Sequence, residues 1–116
     1  MSHWPVEIRL RRAERALEID WNDGHKDVIP AELLRVESPS AEVQGHGPAT
    51  KKLVAGKRNV SLVGAEPVGN YAVRLIFDDG HDSGLFTWDT LRRYGETKAD
   101  MFTAYLEALH NAGLSR

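Results

Sequence analysis

The stretch Leu17-Glu18-Ile19-Asp20-Trp21-Asn22-Asp23-Gly24-His25 comes back 56 residues later as Val73-Arg74-Leu75-Ile76-Phe77-Asp78-Asp79-Gly80-His81. In each copy the apolar side chains stand at every second position: Leu17, Ile19 and Trp21 in one, Val73, Leu75 and Phe77 in the other. That is the period of a strand with one buried face. Asn-Asp-Gly or Asp-Asp-Gly follows, where glycine takes positive φ without steric cost and the preceding Asn or Asp tolerates left-handed backbone. Each copy therefore predicts a strand entering a tight hairpin, with returning strands at about 25–29 and 83–88. The echo runs on past the turn. With one residue inserted at Gly84, Val28 and Ile29 fall on Leu85 and Phe86, and Leu34-Arg35 falls on Leu91-Arg92. Two copies are too few for a solenoid, so a pair of similar β-hairpins is expected.

Working outward, Val6, Ile8 and Leu10 alternate and predict a strand ahead of the first copy, joined to it through the polar stretch from Arg11 to Arg15. Val60 and Leu62 lead into Pro67-Val68-Gly69-Asn70, which predicts another strand and turn before Tyr71–Phe77. The total is roughly six strands in antiparallel hairpins. Between the copies, the segment from Glu37 to Pro48 is dense in turn formers and leaves room for a short helical turn at Ser40–Gln44. Further on, Asp89 is placed to cap a short turn through Arg93 that Gly95 stops, and Thr97-x-x-Asp100 resembles a capping box. A C-terminal helix is expected over about 98–112, with one apolar stripe of Met101, Phe102, Tyr105, Leu106 and Leu109, and Gly113 as its stop. The expected class is α+β, with Trp21, Phe77, Trp88, Leu106 and Leu109 buried together.

A chain of 116 residues with 41% hydrophobic and 28% charged residues is expected to form a single globular domain over residues 1–116. Its apolar runs are far too short for a transmembrane helix or a signal-peptide core, and no basic segment opens it, which predicts a cytoplasmic protein. With no cysteine, disulfides, thiolate metal sites and cysteine nucleophiles are excluded. A net charge of −2 offers no general electrostatic reason to bind nucleic acid or an anionic membrane.

Candidate chemistry is sparse. His25-Lys26-Asp27 fits the His-x-Asp part of an iron facial triad, with His46, His81 or His110 as the distal histidine. A surface hairpin explains the same residues more economically, since an oxygenase barrel with substrate loops is hard to build from 116 residues most of which are already assigned. His25 and His81 sit at matched places after their turn glycines, so a shared structural role in the turn accounts for both. The functional alternative puts His81 in a polar or cation-binding cluster with Asp78, Asp79 and Asp82. Lys51, Lys52, Lys57 and Arg58 concentrate positive charge and, with Asp79 and His81, form a candidate interaction surface. No Walker sequence, Gly-x-Gly-x-x-Gly or aromatic stacking series accompanies them, so a nucleic-acid partner is not expected. Ser38, Ser40 and Ser61 have no Gly-x-Ser-x-Gly elbow and no local base, and neither a catalytic constellation nor a cofactor site emerges.

The order Leu17-Glu-Ile-Asp-Trp21, Asp23-Gly24, Ile29-Pro30, Leu33-Leu-Arg35, Lys57-Arg58, Tyr71-Ala-Val-Arg-Leu75, Phe77-Asp-Asp-Gly-His81 and Trp88 resembles the gamma-butyrobetaine hydroxylase-like N-terminal domain family, over roughly residues 6–95. The paired Asp-Gly hairpins and the Leu-Arg-x-x-Ser-Pro-Ser-Ala-Glu-Val stretch at 34–43 carry the likeness together, and small stand-alone bacterial members are most similar. The resemblance implies a non-catalytic accessory domain. In carnitine-pathway hydroxylases it precedes the 2-oxoglutarate oxygenase domain, and elsewhere it is fused to iron–sulfur-carrier P-loop ATPases. A protein partner of one of those kinds is the implied role. In the hydroxylases the domain binds structural zinc through a Cys-x-Cys-x-x-Cys group and a later histidine, and those positions here are Ser38, Ser40, Val43 and His81. Neutral serine hydroxyls are poor zinc ligands and valine is none, so the expectation is a fold held by packing, with no metal.

Overall fold

A computed structural model describes residues 3–44 and 51–116. The first repeat runs β1 (Pro5–Arg11), β2 (Ala16–Trp21), β3 (Lys26–Pro30) and α1 (Ala31–Val36), and after the short α2 (Ala41–Gln44) the second runs β4 (Leu62–Val68), β5 (Ala72–Phe77), β6 (Leu85–Thr87) and α3 (Trp88–Asn111). Each repeat is thus a three-stranded antiparallel sheet followed by a helix, and the two sheets have the orders β1-β2-β3 and β4-β5-β6. The protein is α+β.

The repeat is deeper than its two quoted stretches. The first strand of each sheet carries a register shift at the matched place, between Pro5 and Glu7 and between Leu62 and Gly64. Both turns are closed alike: Gly24 N–H donates to Trp21 O and Gly80 N–H to Phe77 O, while Trp21 and Phe77 donate to His25 O and His81 O. Gly24 and Gly80 hold φ of 87° and 90°, the left-handed position such a turn requires. Burial matches as well. Ile29 and Phe86 are fully buried while their neighbours Val28 and Leu85 are exposed, and Leu34 and Leu91 are both sealed in the core.

One core joins the two sheets, built from Leu17, Ile19, Trp21 and Ile29 on one side and Val73, Leu75, Phe77 and Phe86 on the other, with Leu34, Trp88, Leu91 and Tyr94 closing it. A smaller cluster of Val36, Tyr105 and Leu109 lies between α1 and the far half of α3.

Three expectations are corrected here. The C-terminal helix does not begin at about 98: it starts at Trp88 and passes through Gly95 and Thr97 unbroken. Its N-cap is Thr87, whose hydroxyl accepts from Thr90 N–H, while Thr97 donates its own hydroxyl to Arg93 O inside the helix. Leu106 is not in the core but 42% exposed, because the helix turns it away from both clusters. Leu109 is buried, yet in the smaller cluster and apart from Trp21, Phe77 and Trp88. Gly113 does end the helix, at φ 69°, with Gly113 N–H donating to His110 O and Leu114 N–H to Leu109 O. No helix among the described residues is long and apolar enough to cross a membrane.

Candidate functional site

The hairpin ends are where the repeats reach across to each other. Arg35 follows Leu34 in α1, and its Nε donates to Oδ2 of Asp79 in the second hairpin turn at 2.7 Å. Arg92 follows Leu91 in α3 and donates to both carboxylate oxygens of Asp23 in the first turn, at 3.2 and 3.0 Å. Each helix therefore grips the turn of the other repeat through the same pair of positions. The two aspartates also accept from the backbone of the following histidine, Asp23 from His25 N–H and Asp79 from His81 N–H. Arg92 holds the Asp23 carboxyl well down, to about 2. Burial pushes Asp79 up, but Lys57, the His81 N–H and Arg35 outweigh it and bring that carboxyl to about 2 as well.

Behind each turn the two histidines part ways. His25 is half exposed and its Nε2 lies 3.0 Å from Oδ1 of the buried Asp27, whose Oδ2 accepts from Trp21 Nε1 at 2.8 Å. His81 is buried, with Nε2 3.0 Å from Ser38 Oγ and 3.3 Å from Ser40 Oγ. Residues 37–44 are folded over it by two local bonds, Ser40 N–H to Ser38 Oγ and Gln44 Nε2 to Ser38 O, and by Tyr94 OH of α3 donating to Glu37 O. Gly84, the one-residue insertion in the repeat, lies against Ser38, and a Cβ there would overlap the serine hydroxyl.

The structure thus brings Ser38, Ser40 and His81 together, with Val43 buried on the same short segment. The donor set does not fit zinc. A single imidazole nitrogen already faces two neutral hydroxyls, and the valine has no donor at all. The facial-triad alternative is not assembled either: among the described residues no group of three or more His, Asp or Glu side chains converges on a metal-sized space, and His46 lies outside them.

Of the expected interaction surface, Lys57 is spent on Asp79 at 2.6 Å and Lys51 on Glu37 at 2.5 Å, while Lys52 and Arg58 stand exposed. His81 is interior and presents no surface. No motif in the sequence marks Arg35, Arg92 and Asp23 as a contact set, although the repeat offset aligns the two arginines and sets Asp23 opposite Asp79.

A duplicated sheet-and-helix unit, cross-braced at its two hairpin ends, defines a small α+β domain. Residues 8–92 match the family described as gamma-butyrobetaine hydroxylase-like, N-terminal, and the chain belongs to that family. No curated protein matches it significantly. Among solved structures, one determined by NMR in solution is 50% identical with a TM-score of 0.86, covering 98% of this chain and 90% of that one. A second solution structure is 44% identical with the same TM-score, covering 99% and 86%. A crystal structure of a DUF971-family protein of unknown function from Acidithiobacillus ferrooxidans is 47% identical, with a TM-score of 0.65 over 77% of this chain and 89% of that one.

Proposed function

We propose that this chain is a small non-catalytic interaction module of the cytoplasm, an adaptor linked to iron–sulfur cluster assembly or to a 2-oxoglutarate oxygenase. The observation that carries the reading is the closed Ser38–Ser40–His81 cluster: the polar groups best placed for chemistry are buried and turned on one another. Charged groups at the hairpin ends join the two repeats, Arg35–Asp79 beside this cluster and Arg92–Asp23 at the other turn. Such braces pre-organise a surface, and pre-organised surfaces bind partners with little backbone movement. The choice of partner rests on the family likeness alone.

The test is capture of partners from native lysate with the full chain as bait. Repeated recovery of a P-loop cluster-carrier ATPase or an oxygenase supports the assignment, and recovery of neither removes it. Titration of amide shifts with 2-oxoglutarate, carnitine precursors and nucleotides runs beside it. Saturable shifts at Ser38, Ser40 and His81 would replace the adaptor with a ligand-binding protein working at that hairpin end.

A further inference from the structure

The smaller core cluster is completed by a side chain that reaches it from outside. After Gly113 the chain doubles back, held by Leu114 N–H on Leu109 O and by Gly56 N–H on Ser115 O at 3.3 Å. Residues 112–116 are all exposed along this path. From its end Arg116 lays its guanidinium against Glu32, with Nη2 2.7 Å from Oε1 and Nε 3.3 and 3.2 Å from the two oxygens. Its Cζ stands 5.0 Å from the centre of the Phe102 ring.

Glu32 is only 5% exposed, and a carboxylate so buried demands a cation of suitable shape. The site around it is selective. A planar fork can take both carboxylate oxygens while its face stacks on an aromatic ring, which a compact ammonium cannot do. The groove beside Arg116 has an apolar wall of Leu106, Leu109 and Leu114, with Arg58, His110 and Ser115 at its polar side. Leu106 on α3 and Leu114 just beyond its end remain 42% and 47% exposed there. Leu114-Ser115-Arg116 thus supplies both an apolar contact and a guanidinium to a site built mostly by α1 and α3.

We propose that Glu32 and Phe102 form a guanidinium receptor, filled here by Arg116 and open to the arginine of a partner peptide when residues 112–116 lift away. The fitting peptide carries an apolar residue two positions before its arginine, as the resident segment does. This site is separate from the His81 hairpin end and stands whether or not the adaptor reading does, because its readout is binding of a defined probe.

The experiment titrates the full-length Arg116→Ala variant with acetyl-Leu-Ser-Arg-amide and follows the amide signals of Glu32 and Phe102. Saturable shifts are expected, with acetyl-Leu-Ser-Lys-amide binding at least about tenfold more weakly. The unmodified chain should bind the arginine peptide more weakly than the variant, since its own arginine competes. Adding Glu32→Gln should abolish binding. Absence of saturable shifts, equal binding of the lysine peptide, or binding that survives Glu32→Gln each overturns the proposal. Should Arg116→Ala fail to fold, Arg116→Lys keeps the charge and loses the fork, and the same titration on it decides by the same outcomes. Millimolar methylguanidinium should also raise the melting temperature of the substituted chain where methylammonium does not, and equal effects count against the site.

Discussion

The Asp27 carboxylate occupies the space that a side chain at position 95 would fill. Gly95 lies in the middle of α3, and a Cβ built there would overlap Asp27 Cγ and both of its oxygens. The carboxylate cannot step aside, because Trp21 Nε1 and His25 Nε2 hold it at 2.8 and 3.0 Å. Alanine favours a helix interior over glycine by about 1 kcal/mol. Gly95→Ala is nevertheless expected to destabilise the protein by about 1–3 kcal/mol, the range for forcing extra atoms into a packed interior. Urea denaturation measures it, and a more stable variant would show that Asp27 is free to move.

Acid should loosen the braces between the repeats. Asp23 and Asp79 both titrate at about 2 in the folded chain against an ordinary value of 3.8. A carboxyl depressed on folding contributes stability that is fully present above its unfolded value and lost as pH falls through its folded one. Stability should therefore hold down to about pH 4 and decline toward pH 2. Asp23→Asn and Asp79→Asn should each flatten that decline in denaturant titrations at stepped pH. Asp79→Asn should cost more at neutral pH, since it strands both Arg35 and Lys57.

At the His81 end the expected behaviour is that of a packed polar cluster. His81→Ala leaves Ser38 and Ser40 hydroxyls buried without their imidazole and should cost about 1–3 kcal/mol. EDTA should leave the melting temperature of the unmodified chain unchanged. A complementary variant carrying Ser38→Cys, Ser40→Cys and Val43→Cys supplies three thiolates beside His81 and should take up about one zinc, with a melting temperature that falls in EDTA. Elemental analysis and thermal melts read both proteins. A sharp EDTA response in the unmodified chain would promote its histidines to ligands.

Two leucines three residues apart on α3 should respond very differently to truncation. Leu109 is buried against Val36 and Tyr105, and Leu109→Ala should cost about 2–5 kcal/mol. Leu106 faces out, and Leu106→Ala should stay within about 0.5 kcal/mol. Equal losses in chemical denaturation would mean that Leu106 is covered in solution.

The strands and turns were legible in the chain because their causes are local. A period of two marks the buried face of Leu17, Ile19 and Trp21, and glycine at 24 and 80 answers to a positive φ that the turn itself imposes. The duplication could be read for the same reason, since similar local signals were written twice. The length of α3 could not. Gly95 and Thr97 carry the marks of a stop and a start, and only the carboxylate of Asp27, 68 positions earlier, explains why glycine stands inside a continuous helix. The hairpin-end contacts belong to the same class. Arg35 meets Asp79, Arg92 meets Asp23, and Ser38 and Ser40 meet His81 across more than 40 residues of chain. Side-chain hydrogen bonds of that span depend on how the two sheets pack, which backbone periodicity does not encode, so tertiary structure alone decided which polar residues face one another.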